Sequence, residues 1–202
     1  MERCWSIASC GKAVSAENHE TRRARIAEIA LGVIAREGLE SATIRRIAAE
    51  VGYSTAVVTY YFENKQDLLL SVMALLGELN RARFDECAAR TPPDLVGYLL
   101  SMSAIRPEDR ANWRAWVSFW ERSLDTPELA VELRGWIGQV LPRIEWFIAA
   151  LAPAHAERTR IATQLFDLVQ GISTHMLFDP DRWTPDAVRA TLDETVDLLL
   201  GL

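Results

Sequence analysis

The stretch that decides the fold is ATIRRIAAEVGYSTAVVTYYFENKQDLL, residues 42–69. Thr43 can cap a short helix, and Gly52 breaks that helix after barely two turns. Ser54 can then cap a second helix of similar length. Asn64, with an acidic residue three positions later, is typical of the start of a third and longer helix. The pattern predicts short helices separated by a tight turn, followed by a long one.

Two short helices joined by a glycine-containing turn match the helix-turn-helix plan, in which the second helix lies in the major groove of DNA. Its hydroxyl side chains can donate to phosphates or bases, and its small apolar side chains can contact thymine methyl groups. The residues predicted to face outward are Ser54, Thr55, Ala56, Val57 and Thr59. Tyr60 and Tyr61 end this helix, where their hydroxyl groups can reach phosphate oxygens. Lys65 adds a positive charge beside the next helix N-terminus.

Helical periodicity continues along the rest of the chain, and no strand-like alternation persists. The fold class is therefore all-α, with about nine helices. After the clear break at residues 91–93, we expect helices over 94–105, 108–124, 127–151, 155–177 and 185–200. Pro142 should kink or split the third of these. The predicted domains are a flexible arm or upstream translation product (1–20), a DNA-binding domain (21–66), and a ligand-binding and dimerisation domain (67–202).

Composition limits the classes of function. Half of the 202 residues are hydrophobic and a quarter are charged, which is typical of a globular protein with a large core. No apolar run is long enough to predict a membrane span. Three cysteines without metal-ligand spacing predict a reduced, cytoplasmic protein. No catalytic constellation, metal site or cofactor is expected.

The charge is distributed unevenly. Residues 21–65 contain seven basic and five acidic residues, a net charge of +2. Because the whole chain carries −6, the remainder carries −8. A mildly basic N-terminal segment on an acidic body favours a nucleic-acid-binding function, although such charges often form only a solvated helix surface.

Residues 26–69, and the quoted stretch above all, resemble the tetracycline-repressor (TetR) family of bacterial transcriptional regulators. The resemblance implies a three-helix DNA-binding domain and a larger ligand-binding domain that dimerises. By position, the residues expected to contact phosphate are Thr43, Tyr60, Tyr61 and Lys65, and those expected near bases are Arg45, Thr55, Ala56, Val57 and Thr59. Arg46 is a further DNA-binding candidate. Residues 113–129 and 165–188 are similar to the choline-responsive BetI-type repressors, which implies a subfamily but no particular effector.

Aromatic residues are concentrated in the predicted C-terminal domain. Trp113, Trp116 and Trp120 recur at helical spacing, so they can line one face of a cavity or simply fill the core. An aromatic cavity suits a hydrophobic or cationic effector. The candidate ligand-binding residues are Trp113, Trp116, Phe119, Trp120, Trp136, Trp146, Phe147, Phe166 and Gln170. Glu121, Glu145 or Asp167 could supply a counter-charge.

The last two predicted helices are apolar over more than one face, and surplus apolar surface must be buried somewhere. Pairing with a second copy of the chain as a four-helix bundle would bury it, as the family resemblance implies. The residues predicted to form this homodimer are Leu165, Leu168, Val169, Ile172, Met176, Val188, Leu192, Val196 and Leu199.

These observations favour a homodimeric transcriptional regulator that binds a palindromic double-stranded operator and is released by a small molecule. Repression and activation both fit the sequence. The alternative is a helical small-molecule-binding protein without operator recognition, and an enzyme is the least favoured reading.

Overall fold

The computed structural model of the chain describes residues 19–201, with the side chains of residues 107 and 108 left out of the description. Within that part of the chain, the structure consists of nine α-helices and one 3-10 turn, and it contains no strand. The helices are α1 His19–Glu37, α2 Ile44–Val51, α3 Thr55–Tyr61, α4 Lys65–Ala88, α5 Leu95–Ser101, α6 Pro107–Ser123, α7 Pro127–Leu151, α8 Arg158–His175 and α9 Pro185–Leu200. The all-α prediction is confirmed. The arm predicted over residues 1–20 lies outside the described residues, apart from the two that begin α1.

The short helices begin at the residues that the sequence marks as caps. The Thr43 hydroxyl accepts a hydrogen bond from the backbone N–H of residue 46 at 3.1 Å, and Ser54 accepts one from residue 57 at 3.3 Å. Between them, Gly52 has φ 78° and ψ 28°, a left-handed conformation that is costly for other residues. The Asn64 side chain accepts from the N–H of Asp67 at 3.0 Å. These local bonds fix the turn of the helix-turn-helix unit.

Arg23 on α1 joins the end of α3 to the start of α4. Its guanidinium donates to Asp67 at 2.5 Å, to the Ser71 hydroxyl at 2.8 Å, and to the backbone carbonyl of Tyr61. It also lies 4.4 Å from the ring centre of Phe62, which is fully buried. The hydrogen bond from Arg23 holds the pKa of Asp67 below its usual value, so this carboxylate stays charged in the folded protein.

One apolar core runs through both predicted domains among the described residues. Helix α1 packs against α2, α3 and α4, and it also packs against α6 of the C-terminal half. Its buried side chains include Ile26, Val33 and Ile34. Helices α2 and α3 therefore rest on a helix that also contacts the C-terminal body.

Three details of the C-terminal helices differ from the predictions. Helix α5 ends at Ser101, four residues early, because the hydroxyls of Ser101 and Ser103 bond to backbone carbonyls three residues earlier in the last turn. Of the kink or split predicted at Pro142, the split does not occur: helix α7 continues through this residue, with Val140 and Ile144 buried on either side. Helix α8 begins at Arg158, three residues later than expected.

The prediction of the dimer residues needs correction. Seven of the nine are buried inside the single chain, where they pack against its other helices and cannot face a second copy. They are Leu165, Val169, Ile172, Met176, Val188, Leu192 and Val196. Leu168 and Leu199 are half-buried. The physical reason is that α8 and α9 use their more continuous apolar faces for the core of their own chain.

No helix within residues 19–201 combines the length and the apolar character needed to cross a membrane.

Replacing Asp67 by Asn should lower the free energy of unfolding by about 1–3 kcal/mol at neutral pH, because Arg23 loses its charged partner. The native pKa of Asp67 is lower than its unfolded value, so this contribution is complete above the unfolded pKa and disappears as the pH falls through the native one. Urea unfolding of both proteins between neutral and strongly acidic pH measures the difference. The matched control is Asp85→Asn, which removes a long, exposed ion pair to Arg81. An equal loss in the two variants would contradict the role assigned to Asp67.

Candidate DNA-binding surface and ligand cavity

Helix α3 presents a continuous exposed face. Ser54, Thr55, Ala56, Val57 and Thr59 are all exposed, whereas the intervening Val58 is fully buried. The Thr59 hydroxyl lies 3.1 Å from two carbonyl oxygens of its own helix, to which it can donate. The face is small and uncharged, so it can approach base edges closely.

The two tyrosines that end α3 have different environments. Tyr60 is 72% exposed, while Tyr61 is only 8% exposed. The rings meet edge to face at 5.1 Å, and both pack against the ring of His19. Tyr60 therefore offers a hydroxyl group to a phosphate, whereas Tyr61 mainly contributes to packing.

Most of the basic residues near this surface are already paired. Arg46 bonds to Glu37 and Glu50, both at 2.6 Å, and these bonds hold the pKa values of the two glutamates below normal. Lys65 donates to Glu40 at 3.0 Å, which likewise lowers the pKa of that carboxyl. Arg45 is exposed and forms no ion pair with any described residue. Arg45 is thus the basic side chain on α2 that is available to an external anion.

A cavity of about 50 Å³ lies between α4, α6, α7 and α8. Five of the nine residues predicted to bind a ligand line it: Trp113, Trp116, Trp136, Phe166 and Gln170. The ring centroids of Trp116 and Trp136 lie 4.3 Å apart, and those of Trp136 and Phe166 lie 5.8 Å apart. This aromatic wall offers an apolar surface to a small molecule.

The other four predicted ligand-binding residues do not line this cavity. Phe119 and Phe147 are fully buried in the core, and Trp120 packs edge to face on Trp113 at 5.4 Å. Trp146 is 44% exposed and packs against Phe147 at 5.2 Å. Their assignment to the ligand site is therefore corrected: helical spacing indicates which side of a helix is apolar, but not which part of that side is open.

Part of the cavity wall is polar. Asp109, whose side chain is 3% exposed, accepts hydrogen bonds from Arg83 at 2.7 Å and from Arg106 at 2.5 and 3.1 Å. Asn80 accepts from Arg143 at 2.7 Å and from the hydroxyl of Tyr98 at 2.9 Å. Burial raises the pKa of Tyr98 to about 12, so it remains a donor at neutral pH.

The polar wall was missed at the sequence level. The sequence suggested Glu121, Glu145 or Asp167 as a counter-charge, but none of these three lines the cavity. A signal was present on α4, where Asn80 and Arg83 continue the inward stripe of apolar residues at helical spacing. Among the described residues, no group of three potential metal ligands comes together.

Two family models match the chain. Residues 26–72 match the model described as bacterial regulatory proteins, tetR family, and residues 94–201 match the model for the C-terminal domain of BetI-type transcriptional repressors. The first match covers the helix-turn-helix residues, and the second covers the cavity residues from Ser101 onward but not those on α4.

Individual relatives agree with these models. The regulator PksA of Bacillus subtilis is 27% identical over 185 residues, which cover 89% of this chain and 90% of PksA. BetI of Rhizobium meliloti is 34% identical over 116 residues, but the match spans only 54% of this chain and 57% of BetI. A solved structure of a regulator from Saccharomonospora viridis in complex with choline is 25% identical, with a TM-score of 0.78 over 88% of this chain and 96% of the other.

Replacing Asp109 by Asn should lower the free energy of unfolding by about 2–4 kcal/mol, because the buried end of Arg83 loses its charged partner. Chemical denaturation at neutral pH measures the change. The matched control is Glu86→Gln, which breaks an exposed 3.3 Å pair with Arg90 and should cost well under about 1 kcal/mol. A loss no larger than that of the control would show that Asp109 does not stabilise the polar wall.

Proposed function

The chain belongs to the TetR family of bacterial regulatory proteins, and we propose that it is a cytoplasmic, ligand-responsive transcriptional repressor that binds a palindromic operator as a homodimer. The observation that carries the proposal is one helix, α4, which begins beside the DNA-reading helix and passes the ligand cavity. Lys65 starts this helix, and Arg83 lies on the cavity roughly 27 Å further along its axis.

The uncharged exposed face of α3 supports base contact in the major groove. Tyr60 and Arg45 flank this face and are available for phosphates. Thr43, Lys65 and Arg46 lie at the same side of the unit but already make hydrogen bonds within the chain. An operator phosphate would compete with Glu40 for Lys65, so we assign the stronger backbone contacts to Tyr60 and Arg45.

A single unit of this size makes few phosphate contacts, so tight binding needs two units spaced about 34–36 Å apart. The outer faces of α8 and α9 support a second copy of the chain as the partner. Leu198 on α9 is 81% exposed and Phe178, three residues after the end of α8, is 76% exposed, while Leu168 and Leu199 are half-buried. Gly171, exposed on α8, allows another helix to approach closely.

The small size of the cavity supports release by a ligand. At about 50 Å³ it holds only a few water molecules, so a larger molecule must displace its walls. Two of those walls connect to the DNA reader, which consists of helices α2 and α3. Helix α4 follows α3 directly, and α6, which carries Trp113 and Trp116, packs against α1, on which α2 and α3 rest. The effector must favour the non-binding arrangement by about 1–3 kcal/mol or more, since equal affinity for both states shifts nothing. The choline complex of a relative supports a small organic molecule as the effector class.

Selection of bound duplexes from a random DNA pool, using the purified full chain at fixed salt, tests the proposal. Enrichment of a palindrome with half-sites about one helical turn apart is the expected result. Binding that is weak, salt-sensitive and indifferent to sequence would contradict operator recognition. It would favour a small-molecule-binding protein without a specific operator.

Replacing Tyr60 by Phe should weaken binding to the selected operator by roughly threefold to tenfold, because one hydroxyl–phosphate hydrogen bond is lost. The salt dependence should stay the same, because no charge is removed. Tyr61→Phe is the matched control and should bind as the wild type does, since Tyr61 is largely buried. Fluorescence anisotropy with labelled operator measures both variants. If Tyr61→Phe weakened binding and Tyr60→Phe did not, the phosphate assignment would be reversed.

Replacing Leu198 by Glu should convert the protein to a monomer, because the change places a charge in the proposed α8–α9 interface. Sedimentation equilibrium measures the mass directly. Leu124→Glu is the control, since Leu124 is similarly exposed at the end of α6 and lies outside that interface. A dimer that survives Leu198→Glu unchanged would place the interface elsewhere on the molecule.

A further inference from the structure

Two buried hydrogen-bond donors in the cavity wall have no acceptor among the described residues. They are the indole N–H groups of Trp113 and Trp136, residues that are 4% and 9% exposed. An indole nitrogen donates only, so it cannot be satisfied by another donor. Buried polar groups without a partner are rare in native proteins and call for an explanation. Both residues line the cavity, so a bound molecule with an acceptor atom would explain them.

The charges of the polar wall disfavour a cation. Asp109 is the one carboxylate among the described side chains of the lining, and it already accepts three hydrogen bonds from Arg83 and Arg106. The charged side chains described in the lining, Arg83 and Asp109, are already paired with each other at 2.7 Å. A cationic ligand would meet Arg83 without a free counter-charge, and burying an unpaired charge is unfavourable.

Arg83 still has hydrogen-bonding capacity. It donates to the backbone carbonyl of Ser101 and to Asp109, which uses two of the five N–H groups of a guanidinium. The remaining donors match a carboxylate, which accepts two parallel hydrogen bonds from one arginine.

A cleft of about 400 Å³ adjoins the cavity and shares Arg83 and Ser101 with it. Four arginines and three acidic residues line the cleft: Arg83, Arg90, Arg106, Arg189, Glu86, Asp94 and Asp186. Arg90 is neutralised by ion pairs with two of the acids, whereas Arg189 is exposed and forms no ion pair with a described residue. Because Arg83 and Arg106 both pair with Asp109, Arg189 is the side chain of the cleft that can attract an anion to the entrance beside the cavity.

We propose that the effector is a small carboxylate with an apolar, preferably planar, body. Its carboxylate accepts hydrogen bonds from Arg83 and from the indoles of Trp113 and Trp136, while its body packs against Trp116 and Phe166. This inference rests on the proposed function, because it names the chemical class of the molecule in the same cavity. It excludes the cationic alternative of the hydrophobic or cationic effector that the aromatic residues alone favoured.

Isothermal titration of the full chain, without DNA, tests the chemical class. The probes are phenylacetate and cyclohexanecarboxylate, each compared with the primary ammonium and amide compounds of the same skeleton, and with choline. At least one carboxylate should bind about tenfold or more tightly than its amide, because a hydrogen bond to a charged acceptor is stronger than one to a neutral acceptor. The ammonium compounds should show no saturable binding. Tighter binding of an ammonium compound or choline, or no saturable binding of either carboxylate, would overturn the proposal.

Two variants locate the bound carboxylate. Trp113→Phe keeps an aromatic ring but removes the unpaired N–H, and it should weaken carboxylate binding by about tenfold. Trp120→Phe is the control, because Trp120 packs edge to face on Trp113 without lining the cavity, and it should leave the affinity unchanged. Arg83→Gln should abolish saturable binding, with thermal unfolding recorded to confirm that the variant is folded. Wild-type affinity in Trp113→Phe would overturn the assignment even if Arg83→Gln failed to fold.

Failure of this inference is distinguishable from failure of the proposed function. If choline or an ammonium compound occupied the cavity and released the selected operator, the proposed regulatory function would be supported and the carboxylate effector would be contradicted. If carboxylates bound with the expected dependence on Trp113 and the random pool yielded no operator, the carboxylate ligand would be supported and the proposed regulatory function would be contradicted.

Discussion

The guanidinium of Arg23 holds the DNA reader in a defined orientation. It bonds to Asp67 at the start of α4 and to the backbone at the end of α3, and it covers the ring of Phe62 between them. Helices as short as α2 and α3 are unstable alone, so their position depends on such tertiary contacts. Because Arg23 belongs to α1, the reading helix is fixed to the same helix that packs against the C-terminal body.

That arrangement gives the cavity two physical connections to the DNA surface. Helix α4 carries Asn80 and Arg83 in the cavity wall and Asp67 at the Arg23 contact. Helix α6 carries Trp116 in the cavity wall and packs on α1. Closely packed helices move as units with few alternative arrangements, so we expect displacement of either wall to be transmitted to α3.

Much of the fold was predictable because local chemistry determines it. The caps at Ser54 and Asn64 and the spacing of apolar residues gave the number and order of the helices. The orientation of α8 was not predictable, because this helix is apolar on several sides. The sequence does not show that the side carrying Leu165 is the one that packs against the other helices of the same chain. The polar wall formed by Arg83 and Asp109 was missed because it depends on residues from different helices that only the folded chain brings together.

The most direct test is the distance between the two reading helices of a dimer. Spin labels on Thr55→Cys, in a chain whose native cysteines are replaced, report that distance by double electron–electron resonance. With the selected operator bound, we expect a single narrow population at about 34–36 Å, the spacing of successive major grooves. A distance far from this value with operator bound, or an absence of dipolar coupling between labels, would contradict a dimeric regulator.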